Sequence, residues 1–532
     1  MIELGLLSRV ALSFFFAAVS LASACAQTEP PVRGGTLVAI IQPEPTALIS
    51  IINNNYPNAF ISANVFDGLV TYDAAFAPQP GLAESWDVAP DGLSVTFHLR
   101  RGVKWHDGHP FTSKDVRYSV LELWKKFHSR GRTTYAAVQD VETPDDDTAV
   151  FRLSHPSLVI FSALTAAESP VLPSHIYEGS DFLKNPQNNK PIGTGPFVFK
   201  EWRKGQYIEL DRNPDYWVSG RPFLDRVIVR NIPDAASRAT ALETGEALYA
   251  PFDAVPFADV ERLRKIPGLT VDTRGYDFMS QFLMIEFNLS NPYLSSLKVR
   301  EAIAHAIDTK GLINTVWYGL ARPATGPVPS QLAKFYTGDV PRYAFDPARA
   351  EQLLDEAGFP RKADGVRFAI SQDFLPFNDA FKNSSDYMRQ NLKRVGIEMT
   401  VRAQDLPAYL RRIYTDYDFD TLLTQFSPMA DPEMGLFRVL LSTNHVRGIP
   451  NMQASGYSSP EADALIAQIS VERDPATRSG LFRQLQGVVQ HDLPILPLTE
   501  MQHVTIRSTK LKDVNVGPDG ALASLRDVWI AP

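Results

Sequence analysis

Between Pro90 and Val120 the hydrophobic pattern changes period. Val95, Phe97 and Leu99 alternate with Ser94, Thr96 and His98, the period-two signature of a half-buried strand. Pro90-Asp91-Gly92 ahead of it reads as a turn, because proline pre-sets φ and glycine accepts positive φ. Arg101-Gly102 turns the chain again. Val103-Lys104-Trp105 starts a second short strand, and His106-Asp107-Gly108 makes another turn. Thr112 or Ser113 then caps a helix that carries Asp115 in its first turn and an apolar stripe of Val116, Val120 and Leu123. The stretch predicts a β-hairpin feeding a helix.

The same reading extends along the chain. Gly34 to Ile41 is a strand entering the core, broken by Pro43-Glu44-Pro45. The loop that follows holds Asn53-Asn54-Asn55-Tyr56, and loops at the ends of central strands are where α/β proteins bind ligands. A helix is expected over 59–66 and strands over 67–72 and 148–153. Gly193-Thr194-Gly195-Pro196 precedes another alternating strand and lacks the lysine of a phosphate loop. Helices follow over 235–244, over 297–308 with Val299, Ile303, Ala306 and Ile307 on one face, over 346–357 and over 386–395. Phe282 to Asn288 is a buried-type strand, another runs from Tyr417 to Phe426, and the last strands lie at 503–506 and near Val528. Strands and helices alternate, so the fold class is α/β.

Length changes this picture: 532 residues exceed one compact core and predict two to three lobes. A net charge of −8 and a pI near 5.8 argue against a nucleic-acid partner, which needs a basic face. Arg9 precedes an apolar run from Val10 to Leu21, and Ala24-Cys25-Ala26 fits the small-x-small rule, so a signal peptide over 1–26 cleaved after Ala26 is expected. The alternative is lipidation at Cys25, since Ala22-Ser23-Ala24-Cys25 resembles a lipobox with its first leucine replaced. Cys25 is the only cysteine, so cleavage after Ala26 leaves a mature chain without disulfides, cysteine catalysis or thiolate metal sites. Asp145-Asp146-Asp147 lacks the alternation of a calcium loop and reads as a solvated turn. No Gly-x-Ser-x-Gly elbow and no His-Glu-x-x-His helix occurs. His106-Asp107-Gly108-His109 reads as a turn in preference to a metal corner. No metal, no cofactor and no enzyme activity are expected; binding is.

Several blocks carry a resemblance. They are Gly34-Gly35-Thr36-Leu37, Val65-Phe66-Asp67-Gly68-Leu69, Pro80 to Trp86, the Pro90–Val120 stretch, Gly193-Thr194-Gly195-Pro196-Phe197, Leu210 to Trp217, Val299 to Asp308 and Asp492 to Leu498. In their order and wording they closely resemble the family 5 extracellular solute-binding proteins, the peptide/nickel group that serves ABC importers. The resemblance implies a two-lobed periplasmic binding protein, type II-like and of cluster C, with an extra small insert domain and a hinged cleft. Lobe I would comprise 27–72, 193–289 and 498–532, the insert 73–192, and lobe II 290–497. The hinge crossings would fall at 288–292 and 498–501.

The partners implied are a peptide or peptide-like solute and an ABC permease in the inner membrane, with the protein acting as a periplasmic monomer. Family peptide binders hold the ligand's α-amino group with a buried aspartate, and the matching position is Asp431. Pro432 equally suits Asp431 as a helix cap. Met429, Phe426, Asn288, Tyr318, Glu44, Asn55 and Tyr56 are the other candidate walls of the cleft. An opine, an oligosaccharide or a metal chelate are alternative ligands. A secreted hydrolase on the same scaffold, or a solute sensor for a receptor, are the alternative functions.

Overall fold

A computed structural model describes residues 30–377 and 379–532. The expected signal peptide and Cys25 lie outside these residues.

Two mixed sheets organise the molecule. The first has seven strands in the order Leu269–Asp272, Thr505–Ser508, Tyr249–Ala250, Thr36–Ile40, Arg226–Arg230, Tyr207–Arg212 and Phe197–Arg203. Thr36–Ile40 lies parallel to Arg226–Arg230, with Thr36 opposite Arg226. The second has six strands in the order Ala321–Pro323, Ile495–Met501, Phe282–Phe287, Thr421–Phe426, Phe368–Phe374 and Ile397–Arg402. A four-stranded antiparallel sheet, Ala83–Val88, Ser94–Leu99, Thr148–Leu153 and Val138–Asp145, forms the insert. Val95, Phe97 and Leu99 face its core, as their alternation requires. The helix after it runs Ser113–Tyr118 and continues as a π-helical segment, Ser119–Trp124.

The insert has no core of its own. Phe97, Trp105, Trp124 and Phe151 belong to one apolar cluster with Leu37, Phe60 and Val65 of lobe I. Lobe II has two further clusters, one on each face of its sheet. Val103-Lys104-Trp105 forms only an isolated bridge, Lys104 to Pro110, and not a strand.

The lobe boundaries need correction. Phe282–Phe287, expected at the end of lobe I, sits in the middle of the second sheet, paired on both sides. The first crossing therefore lies between Asp272 and Phe282, not at 288–292. The return strand Ile495–Met501 also belongs wholly to lobe II, which places the second crossing at Gln502 and His503.

Four of the quoted sequence blocks, Val65–Leu69, Pro90–Val120, Gly193–Phe197 and Leu210–Trp217, meet at one buried point. Asp67 accepts hydrogen bonds from Thr194 Oγ1 (3.0 Å), Tyr216 OH (3.1 Å) and Trp217 Nε1 (2.8 Å). His106 accepts from the Gly193 N–H at Nδ1 (3.2 Å), so its Nε2 carries the proton and donates to the Gly195 carbonyl (3.0 Å). Gly193 is required by close approach: a Cβ there would stand 1.8 Å from the Val65 carbonyl oxygen. These residues fasten the insert to lobe I.

Candidate functional site

The face between the lobes is built from three directions. The helix Tyr56–Val65 is capped by Asn55, whose side chain accepts from Asn58 N at 3.2 Å. Its first residue, Tyr56, is buried and stacks on Phe252 with ring centroids 4.2 Å apart. Phe252 in turn stacks on His503 at 4.5 Å. His503 lies in the second crossing and hydrogen-bonds both Asp253 Oδ2 (2.6 Å) and Gln281 Oε1 (2.7 Å). This places an aromatic stack beside both crossings. The Tyr56 hydroxyl is buried without a hydrogen-bond partner. Burial, and then Tyr249, Tyr276 and Asp253, hold its pKa well above the phenolic range.

From lobe II, Thr421–Phe426 ends at the crossing end of its sheet, where Phe426 is paired with Phe282. Met429, at φ +70°, and Ala430 pack into the lobe I cluster. Asp431 is a correction to the expectation of a carboxylate awaiting a ligand amine. It is buried, and Arg478 holds both of its oxygens, at 2.6 and 3.0 Å. Oδ1 also accepts from Glu433 N at 3.0 Å, capping the short helix Pro432–Met434. Burial alone would lower the pKa of Arg478, but Asp431 and Glu433 outweigh it and raise the pKa. An ammonium at Asp431 would first have to displace a buried guanidinium, a costly exchange.

The insert supplies the third side. Its helix Gly131–Thr134 packs against Pro432–Met434. Arg130 grips Glu168 in a two-point ion pair at 2.6 and 2.5 Å, with His128 behind. Arg473 donates to the Pro90 carbonyl at 2.8 Å, a second bridge from lobe II to the insert.

Arg438 stands among these groups, 5.7 Å over the Phe426 ring. Its Nε is buried without a hydrogen-bond partner. Burial and then the nearby positive charge of Arg130 bring its pKa down to about 10. Glu168 acts on it from a distance, but that carboxylate is occupied by Arg130.

The eight expected wall residues therefore separate. Met429 and Asp431 lie where lobe II meets the lobe I and insert core, Asp431 with its charge already matched; Phe426 sits in the lobe II core, and Tyr56 stands in lobe I beside the crossings. Asn288 lies at the opposite end of Phe282–Phe287, about 20 Å along the strand from the Phe426 end. There it donates to the Phe419 carbonyl at 2.7 Å and closes a turn. Glu44 accepts from Trp202 Nε1 (2.9 Å) and Gly205 N (2.8 Å), pinning its loop to a hairpin. Asn55 is a helix cap. Tyr318 is exposed and lines a crevice of about 520 Å³ with Glu261, Asp272, Arg274 and Gln502. That crevice lies beside Ala321–Pro323, the sheet edge on the other side of the crossing strands from Phe426. Arg438, Phe252 and His503 were not legible as site residues. A lone arginine in an apolar helix, Phe437–Leu440, was the one available signal for the first.

The comparisons agree with this architecture. Residues 77–447 match the model of the middle region of the bacterial extracellular solute-binding proteins, family 5. The chain is 27% identical over 516 residues to the oligopeptide-binding protein AppA of Bacillus subtilis, covering 94% of this chain and 92% of that one. It is 26% identical over 481 residues to heme-binding protein A of Haemophilus influenzae, covering 86% of each. The solved structure of the Bacillus subtilis AppA protein with a nonapeptide superposes with a TM-score of 0.79 at 26% identity, over 94% of this chain and 100% of that one. The two-lobed α/β architecture is the fold of these proteins, and the chain belongs to the bacterial extracellular solute-binding proteins of family 5.

Proposed function

We propose that this protein captures a peptide or peptide-like solute carrying a carboxylate between its two lobes and delivers it to an ABC permease. The observation that carries the ligand class is Arg438. A guanidinium with a buried, unpartnered Nε is costly to leave unmatched, and a carboxylate is its natural complement. The half-buried Phe252 ring, backed by Tyr56, offers apolar surface to the rest of such a solute. The oligopeptide-binding name of the Bacillus subtilis relative, and its nonapeptide complex, support a peptide.

In this reading the chain is exported, cleaved after Ala26, works in the periplasm as a monomer, and binds without turnover. Released small molecules, identified by mass spectrometry after denaturing protein purified from the periplasm, test it. Peptides or acylated amino acids bearing a free carboxylate are expected. Recovery of only uncharged sugars would overturn the ligand class.

A further inference from the structure

Outside the interlobe face, one cluster among the described residues has the chemistry of a metal site. The turn after Trp105 carries Asp107 and His109. The fold brings His175 to them from 68 residues beyond Asp107. Asp107 Oδ2 lies 2.8 Å from His175 Nε2 and Asp107 Oδ1 lies 3.1 Å from His109 Nδ1. The three ligand atoms all lie within 4.8 Å of one another, and the two imidazoles stack with centroids 4.3 Å apart. These nitrogen–oxygen separations are a few tenths of an ångström shorter than the edge of about 3.4 Å of a tetrahedron with ligands at about 2.0–2.2 Å, so small side-chain rotations open the cluster around one ion.

The two segments are held in register from below. Asp115 accepts from Trp105 Nε1 (3.3 Å), just before the turn, and from Ser174 N (2.8 Å) and Ser174 Oγ (2.7 Å), just before His175. One buried carboxylate thus fixes both ligand-bearing pieces of chain, and such outer contacts orient metal ligands.

We propose that Asp107, His109 and His175 form a solvent-facing site for Zn2+ on the insert. Two imidazoles and one carboxylate suit Zn2+ and disfavour Mg2+ and Ca2+, which take oxygen ligands. Three protein ligands leave a position open to water. The inference is independent of the solute reading.

The test is calorimetric titration of untagged, chelator-treated protein with ZnCl2 at pH 7.5, beside MgCl2. Saturable binding of one Zn2+ is expected. It should weaken by at least about tenfold in both His109→Ala and His175→Ala. His109 is the more exposed of the two imidazoles, so its variant stays folded and is decisive if the other does not. Absorption bands of an imidazole-ligated ion on Co2+ substitution, lost in His109→Ala, provide a second readout. No saturable Zn2+ binding, equal binding in wild type and His109→Ala, or Mg2+ binding as tight as Zn2+ would each overturn the proposal.

Discussion

Glu286 lies in the central strand of lobe II, almost wholly buried, with Oε1 accepting from Ala454 N and Ser455 N at 2.8 Å each. Burial pushes its pKa up to about 7 from an ordinary 4.5, against the effect of those two bonds. The folded state therefore holds this proton more tightly than the unfolded state. The stability contributed is full below about pH 4.5 and is lost as pH rises through 7, by about 3 kcal/mol in all. Glu286→Gln keeps an acceptor and removes the charge. Urea unfolding should show the variant more stable than wild type at pH 8 and not at pH 4.5; an equal shift at both would refute the assignment. Arg478 poses the opposite case, a buried cation already paired with Asp431 and Glu433. Arg478→Met strands two buried carboxylates and should cost about 3–5 kcal/mol in the same experiment. An unchanged unfolding midpoint would mean that Asp431 is free for another partner after all. The pairing could not be read from the sequence, because Asp431 and Arg478 lie 47 residues apart and neither pattern nor spacing links them.

At the scale of elements, local pattern was informative and long-range placement was not. The strand Ser94–Leu99 and the helix Leu297–Ala306 follow their periodicities, because one face of each meets a core. The apolar run of Phe282–Phe287 identifies a strand but not the lobe that receives it. A fully buried run looks the same whichever sheet receives it. The reason for the Gly-Thr-Gly-Pro block is tertiary: Gly193 and Gly195 let the chain pass against Val65. Gly193→Ala should therefore cost about 3 kcal/mol or more, since backbone on both sides must move. Gly480→Ala, inside the helix Pro475–Asp492 with nothing within 4 Å of the new Cβ, should gain roughly 0.5–1 kcal/mol from helix propensity. Comparing their thermal midpoints checks both signs. The clamp also holds His106 neutral, burial having lowered its pKa to about 4. Its contribution is present above pH 6.5 and is lost as pH falls through 4, opposite in sense to Glu286.

For the whole molecule, the proposed function makes the two crossings the place where binding and closure would be coupled. Both run beside the stack of Tyr56, Phe252 and His503, and lobe II touches the insert through Arg473 and through Pro432–Met434. In the proposed reading, a solute bound at Arg438 would stabilise the folded protein by about 2.7 kcal/mol at a hundredfold excess over Kd. The direct measurement is calorimetric titration of ligand-stripped protein with free-acid peptides and their C-terminal amides, in wild type and Arg438→Met. At least one free acid should bind saturably. Loss of the carboxylate charge, or of Arg438, should weaken it by about 1.5–3 kcal/mol. A series in which no peptide binds, or in which binding is indifferent to both changes, would contradict the account.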